Sequence, residues 1–152
     1  MSDESWYLDT SALAKWYLNE AGSDEFSAWI QGIDRATISE LTETEMRCLL
    51  ARRRRMRQLD CEMEARIFST FQNDIAEGHL SRLVMTSDCF GVASRFIDRL
   101  PHVPLRTLDA LHLAVAQQQG VGGIATADCV FARAAENLQF KVLRFADCGR
   151  AD

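Results

Sequence analysis

Trp6-Tyr7-Leu8-Asp9-Thr10-Ser11-Ala12-Leu13 runs from three apolar residues through an acid into the start of a helical pattern. The apolar run reads as a buried strand and the Ala12-Leu13 stretch as helix. Asp9 is then a carboxylate held at the end of a buried element. Gly123-Ile124-Ala125-Thr126-Ala127-Asp128 repeats the theme with Asp128. Two further acids stand in helical patterns: Asp109 in Leu105-Arg106-Thr107-Leu108-Asp109-Ala110-Leu111-His112, and Glu45 in Ser39-Glu40-Leu41-Thr42-Glu43-Thr44-Glu45-Met46. A fold that brings Asp9, Glu45, Asp109 and Asp128 together builds an acidic pocket for a divalent metal ion.

Working outward, short runs rich in β-branched residues alternate with longer helical patterns. Strands are expected at 6–9, 36–39, 83–86, 123–126 and 140–145, and helices at 11–19, 23–31, 40–57, 61–77, 87–99, 107–119 and 128–138. Such alternation implies a doubly wound α/β fold, a three-layer α/β/α sandwich around a mainly parallel sheet. The consecutive helices between residues 40 and 77 exceed what one crossover needs and suggest a two-helix arm. Open α/β sheets bind ligands outside the carboxyl ends of their strands. Asp9 and Asp128 occupy or closely follow such ends, and Asp109 and Glu45 lie on helices entering from that edge.

The 152 residues suit one domain over 1–152, with 47% hydrophobic and 26% charged residues arguing for a folded core. No apolar run approaches the roughly 20 residues that span a bilayer. The polar, acidic start Met-Ser-Asp-Glu-Ser is unlike a secretory signal, so a cytoplasmic protein is expected. Cys48, Cys61, Cys89, Cys129 and Cys148 are odd in number and lack CxxC spacing, which indicates neither a disulfide framework nor a zinc knuckle. Cys48 and Cys129 fall in helical patterns and read as small core residues. The net charge of −5 runs against most nucleic-acid binders, yet Arg52-Arg53-Arg54-Arg55 and Arg57 form a dense basic run.

Each acid also has a purely structural reading. Asp128 and Asp9 are good N-caps, Asp109 could complement a helix dipole two residues after a Thr107 cap, and Glu45 could be a surface glutamate beside Glu40 and Glu43. Together they repel unless protons or a cation neutralise them. Mg²⁺ and Mn²⁺ prefer oxygen donors, and a site of this kind suits phosphodiester hydrolysis. Ser11, Thr107 and Thr126 stand beside the acids as hydroxyls for a water or a neighbouring carboxylate, or as caps.

The four motifs, with the first read from Tyr7 to Leu13, the second from Leu41, the third extended to Ala114 and the fourth from Ala125, resemble PIN domains, in particular the toxin ribonucleases of VapBC toxin–antitoxin pairs. The resemblance covers nearly the whole chain in the family's order, and the third motif is its most specific part. It implies that Asp9, Glu45, Asp109 and Asp128 bind the metal, with Thr126 accessory. It also implies Mg²⁺- or Mn²⁺-dependent endonucleolytic cleavage of RNA, a homodimer, and inhibition by a small antitoxin. Glu45 best fits the family's Leu-Thr-x-x-Glu pattern, although Glu40 and Glu43 surround it. Gln139 stands where relatives often carry glycine.

His112 follows Asp109 by three residues and shares its helix face; it reads either as turned toward the site or as a core histidine satisfied by a neighbour. Arg52, Arg53 and Arg55 are candidate contacts for RNA or a partner, or else a solvated face. Trp6, Trp16, Tyr17 and Trp29 read as core or partner surface. A haloacid-dehalogenase-type phosphatase would need an acid at position 11, which is Ser11, and a receiver domain would need a lysine where Phe145-Ala146-Asp147 has none. The remaining alternative to a nuclease is a catalytically silent PIN-like module that binds a partner protein or RNA.

Overall fold

In the computed structural model, which describes residues 4–146, β1 (Ser5–Leu8) lies between β2 (Arg35–Ser39) and β4 (Gly123–Thr126). The edge strands are β3 (Ser81–Leu83) and β5 (Val142–Arg144), giving the order β3-β2-β1-β4-β5 with every pairing parallel. Residues 1–3, Asp147 and Cys148 lie outside the described part of the chain.

A parallel sheet is covered on both faces, and alternate side chains divide between them. Trp6, Leu8, Ile38 and Ala125 pack under α1 (Thr10–Tyr17), α2 (Ser23–Ile30), α3 (Glu40–Arg55) and α4 (Cys61–Ala76). Tyr7 and Ile124 pack under α5 (Asp88–Arg99), α6 (Thr107–Gln118) and α7 (Cys129–Asn137). The seven residues from Ala110 to Ala116 of α6 are all buried, which makes it a central helix rather than an amphipathic one. Gly123 permits the close approach of Trp6, because a Cβ there would come within 2.6 Å of the indole ring.

Two expected strands are displaced. The third was expected at 83–86, but Ser81, Arg82 and Leu83 form the ladder with Thr37, Ile38 and Ser39. Beyond Leu83 the chain turns to side-chain partners, with Met85 N donating to Glu40 Oε2 at 3.3 Å and Thr86 Oγ1 to Gln118 Oε1 at 3.2 Å. The fifth is shorter than 140–145, since Phe140 N bonds to Ala135 O at 3.0 Å and so belongs to the end of α7. Gln139 takes φ 70° at that turn, a left-handed conformation that glycine adopts without strain.

The two-helix arm is anchored rather than free. Met46, Leu50, Ile67 and Phe71 insert into the same core as Leu13 and Phe26. Phe71 meets Tyr17 edge-on at 5.6 Å, and the Tyr17 hydroxyl donates to Asp74 at 2.5 Å. Glu64, 4% exposed, accepts from Arg54 at 2.8 Å and lies 3.4 Å from Arg47. Arg47 also lies over the Phe68 ring at 5.0 Å.

Two cysteines depart from expectation. Cys48 is exposed on α3, and Cys129 is partly buried and disulfide-bonded rather than a free core thiol. Trp6 is buried and meets Trp29 edge-on at 5.3 Å, while Trp16, Tyr17 and Trp29 are partly buried against the same core.

Anchoring of the arm through Phe71 predicts that Phe71→Ala costs about 3–5 kcal/mol in urea unfolding. Met56→Ser, at the exposed turn between the arm's helices, should stay within about 0.5 kcal/mol of wild type. Equal effects would mean that the arm is not seated on the core.

Candidate active site

The chain winds from β1 outward to β3, then crosses back to β4 beside β1 and outward to β5. The order therefore reverses between β1 and β4, the place where open α/β sheets hold ligands beyond their strand ends. Asp9 directly follows β1 and Thr126 ends β4, so both stand at that reversal.

The Asp9 carboxylate is 6% exposed and fully engaged. Ser11 Oγ lies 2.8 and 2.9 Å from its two oxygens, Thr126 Oγ1 donates to Oδ2 at 2.6 Å, and Ala12 N donates to Oδ1 at 2.9 Å. The hydroxyls are themselves polarised from behind, Ser11 by Ala127 N at 2.9 Å and Thr126 by Asp128 N at 3.0 Å. Backbone amides thus feed hydroxyls that feed one carboxylate, a chain in which each bond strengthens the next. Asp9 also caps α1 through Ala12, as its structural reading expects.

Asp128 caps α7 with Oδ1 on Phe131 N at 3.0 Å, leaving Oδ2 toward Arg106 Nη2 at 3.2 Å. Arg106 Nε reaches Asp109 Oδ2 at 3.2 Å, so one guanidinium bridges both acids. Arg106, not Thr107, is the residue that caps α6. Its pairing with Asp109 was not anticipated, although a cation three residues before an acid is a readable helical pair.

Glu45 pairs with His112 Nε2. On the ring's other side, His112 Nδ1 lies 2.5 Å from the Tyr7 hydroxyl. Ser39 Oγ lies 2.9 Å from the same Tyr7 oxygen. His112 is 1% exposed, so it is a core histidine whose satisfying neighbours include Glu45. The competing glutamates have other partners: Glu40 takes Met85 N, and Glu43 takes Arg82 at 2.6 Å. Arg53 is likewise tied, to Glu20 at 2.9 Å and Gln58 at 3.0 Å. Arg52 and Arg55 are exposed.

Burial raises the Asp9 carboxyl to about 6, against the pull of its hydrogen bonds to Thr126, Ala12 and Ser11. Burial also raises Asp109, opposed by Arg106. Among the described residues, no three His, Cys, Asp or Glu side chains already stand as a metal cage. The donors are nevertheless carboxylates and hydroxyls, the chemistry a hard divalent cation prefers. Two of the acids carry a burial cost that such a cation would relieve. The residues fit Mg²⁺ or Mn²⁺ on donor type, with the guanidinium of Arg106 now covering two of the candidate oxygens.

The raised Asp9 value fixes the sign of a pH effect. A carboxyl with a higher pKa in the folded state contributes stability below its unfolded value near 4, and loses it as pH rises through about 6. In EDTA, the unfolding free energy of Asp9→Asn relative to wild type should therefore improve by roughly 2–3 kcal/mol between pH 4 and pH 7.5. Parallel urea-unfolding profiles for the two proteins would remove the burial argument.

Residues 6–137 match the family model of the PIN domain. Among solved structures, VapC20 of Mycobacterium tuberculosis, described as a sarcin-ricin loop cleaving toxin, has a TM-score of 0.69 at 18% identity, covering 91% of this chain and 98% of that one. FitAcB from Neisseria gonorrhoeae gives 0.70 at 16% identity, with 92% and 97% covered. A toxin-antitoxin complex from Klebsiella pneumoniae gives 0.56 at 16% identity, with 91% and 96% covered. No curated protein sequence matches the chain. At these identities the structures speak for the fold, a five-stranded parallel sheet between helical layers, while the match over residues 6–137 settles the family: this chain belongs to the PIN domain family.

Proposed function

We propose that this protein is a metal-dependent endoribonuclease, the toxin of a VapBC-type pair, using Asp9, Glu45, Asp109 and Asp128 to hold Mg²⁺ or Mn²⁺. The observation that carries the reading is Asp9: a buried carboxylate at the reversal of the sheet, held by Ser11, Thr126 and Ala12 while burial opposes its charge. Thr126 joins Asp9 to the Asp128 amide, and Arg106 joins Asp128 to Asp109, links that a merely structural cap does not need. The toxin-antitoxin proteins that share the fold support both the activity and a small antitoxin as partner.

When bound, the cation would neutralise charge at the scissile phosphodiester and favour deprotonation of an attacking water. The chain's own groups do the rest. Ser11 and Thr126 hold Asp9 in one orientation, and the Asp128 amide fixes Thr126. His112, fixed by Tyr7, orients Glu45. Arg52 and Arg55 lie about two and three turns along α3 from Glu45, on its helical face, and offer phosphate contacts leading to the site. That arrangement reconciles a net charge of −5 with an RNA substrate.

Purified, antitoxin-free protein should cleave total RNA with Mg²⁺ or Mn²⁺ and not with EDTA, and Asp9→Asn and Asp109→Asn should abolish cleavage while remaining folded. Folded wild-type protein that leaves RNA intact would return the reading to a silent binding module. Cleavage surviving both substitutions would detach the activity from these acids.

The Glu45–His112–Tyr7 chain predicts a second effect. Tyr7→Phe leaves Ser39 and the His112 Nδ1 without their shared partner and frees the imidazole to change tautomer. Mn²⁺ affinity by calorimetric titration should fall by roughly ten- to a hundredfold, the usual penalty for losing an outer partner of a ligand. Unchanged affinity in a folded Tyr7→Phe protein would show that Glu45 needs no such support.

A further inference from the structure

We infer that Arg106 is a substrate-binding residue held in reserve by the acids: it covers Asp109 and Asp128 in the metal-free protein and transfers its guanidinium to an RNA phosphate when a cation takes their oxygens. The inference rests on the proposed metal-dependent nuclease reading.

Three observations support it. First, Arg106 uses Oδ2 of both acids, at 3.2 Å each, and in Asp128 the other oxygen is committed to Phe131 N. The Asp128 oxygen without a backbone partner, the one a cation meets first, is therefore the oxygen that Arg106 now covers. Second, the hold is weak. Charge-assisted N–H···O bonds settle at roughly 2.7–2.9 Å, so both contacts are long. The Arg106 side chain is 74% exposed, whereas Asp109 is 14% and Asp128 28% exposed. Exposed ion pairs of this kind contribute little. Third, the one guanidinium reaches an acid within α6 and the acid that caps α7, so it stands between the two helix ends that present them.

Displaced from the carboxylates, a guanidinium anchored at the start of α6 remains beside those helix ends. Its planar fork suits two phosphate oxygens. The same arginine thus screens the acids before the cation arrives and draws the RNA backbone toward them afterwards. No covalent step is involved, only an exchange of ionic partners.

The test compares wild type with Arg106→Gln and Arg106→Lys in two measurements. In Mn²⁺ titration calorimetry without RNA, Arg106→Gln should bind the ion about fivefold more tightly, the equilibrium equivalent of losing one exposed ion pair as competitor. In fluorescence anisotropy with Mn²⁺ and a labelled 2′-O-methyl oligouridylate, the same variant should bind more weakly. Its plot of log affinity against log salt should be shallower by about 0.7, the value for one phosphate contact on a single strand. Arg106→Lys should restore the salt slope. Wild-type Mn²⁺ binding with unchanged or weaker binding in Arg106→Gln overturns the inference alone, as does an unchanged salt slope. Failure of the wild type to bind Mn²⁺ at all overturns it together with the metal-dependent reading.

Discussion

Everything at the strand ends depends on keeping a carboxylate buried at Asp9. A charge out of water must be offset by hydrogen bonds, and three donors from two parts of the chain converge on it: Ser11 and Ala12 from the first turn of α1, and Thr126 from β4. Those donors hold only if β1 and β4 stay in register, with Leu8 opposite Ala125 and Asp9 N reaching Ala125 O at 3.3 Å. The parallel pairing of two strands far apart in sequence and the geometry of the acid therefore stand or fall together. Burial still wins over the donors, since the carboxyl ends up above its usual range. A fold selected for stability alone would place an asparagine or a serine at such a cap.

The other acids are each managed by a different neighbour, and the differences matter. Glu43 is neutralised by Arg82 and Glu40 is spent on the Met85 amide, so both are held away as structural groups. Glu45 faces the buried ring of His112, which orients it. Asp109 and Asp128 share one exposed guanidinium, the weakest of these arrangements and the easiest to exchange. The site thus distinguishes acids that are permanently paired from acids that remain available.

Much of this was legible before any coordinates. The strand–acid–helix rhythm at Asp9 and Asp128 follows from apolar runs of strand length ending in a cap residue, so those elements and their caps emerged nearly in place. β3 did not, because an edge strand is read only by the single neighbour it pairs with; Val84 is as apolar as Leu83 yet lies 61% exposed beyond the ladder. Cys48 was misread because helical spacing shows that a face exists but not whether anything covers it, and the face of α3 carrying Glu45, Cys48, Arg52 and Arg55 is open. The arginines of the basic run look alike in sequence, and only acids from elsewhere in the chain separate them: Glu20 takes Arg53 and Glu64 takes Arg54, while Arg52 and Arg55 stay exposed. Arg106 was overlooked for the same reason: its link to Asp109 is local, but its link to Asp128 spans 22 residues and exists only once α6 and α7 enter from the same edge.

The register of the glutamate shows how packing decides what spacing leaves open. Glu40, Glu43 and Glu45 all begin α3, and a helix presents them in different directions about 100° apart per residue. Met46 and Leu50 must face the core, which fixes the rotation of α3 about its axis. With that rotation set, Glu43 points to Arg82 on β3 and Glu45 toward α6 and His112. His112 in turn is held by Tyr7, the one β1 side chain between Trp6 and Leu8 that faces the other layer. The choice of glutamate therefore rests on the same period-two alternation of β1 that puts Asp9 at its end, so core packing and the disposition of the acids are consequences of one strand.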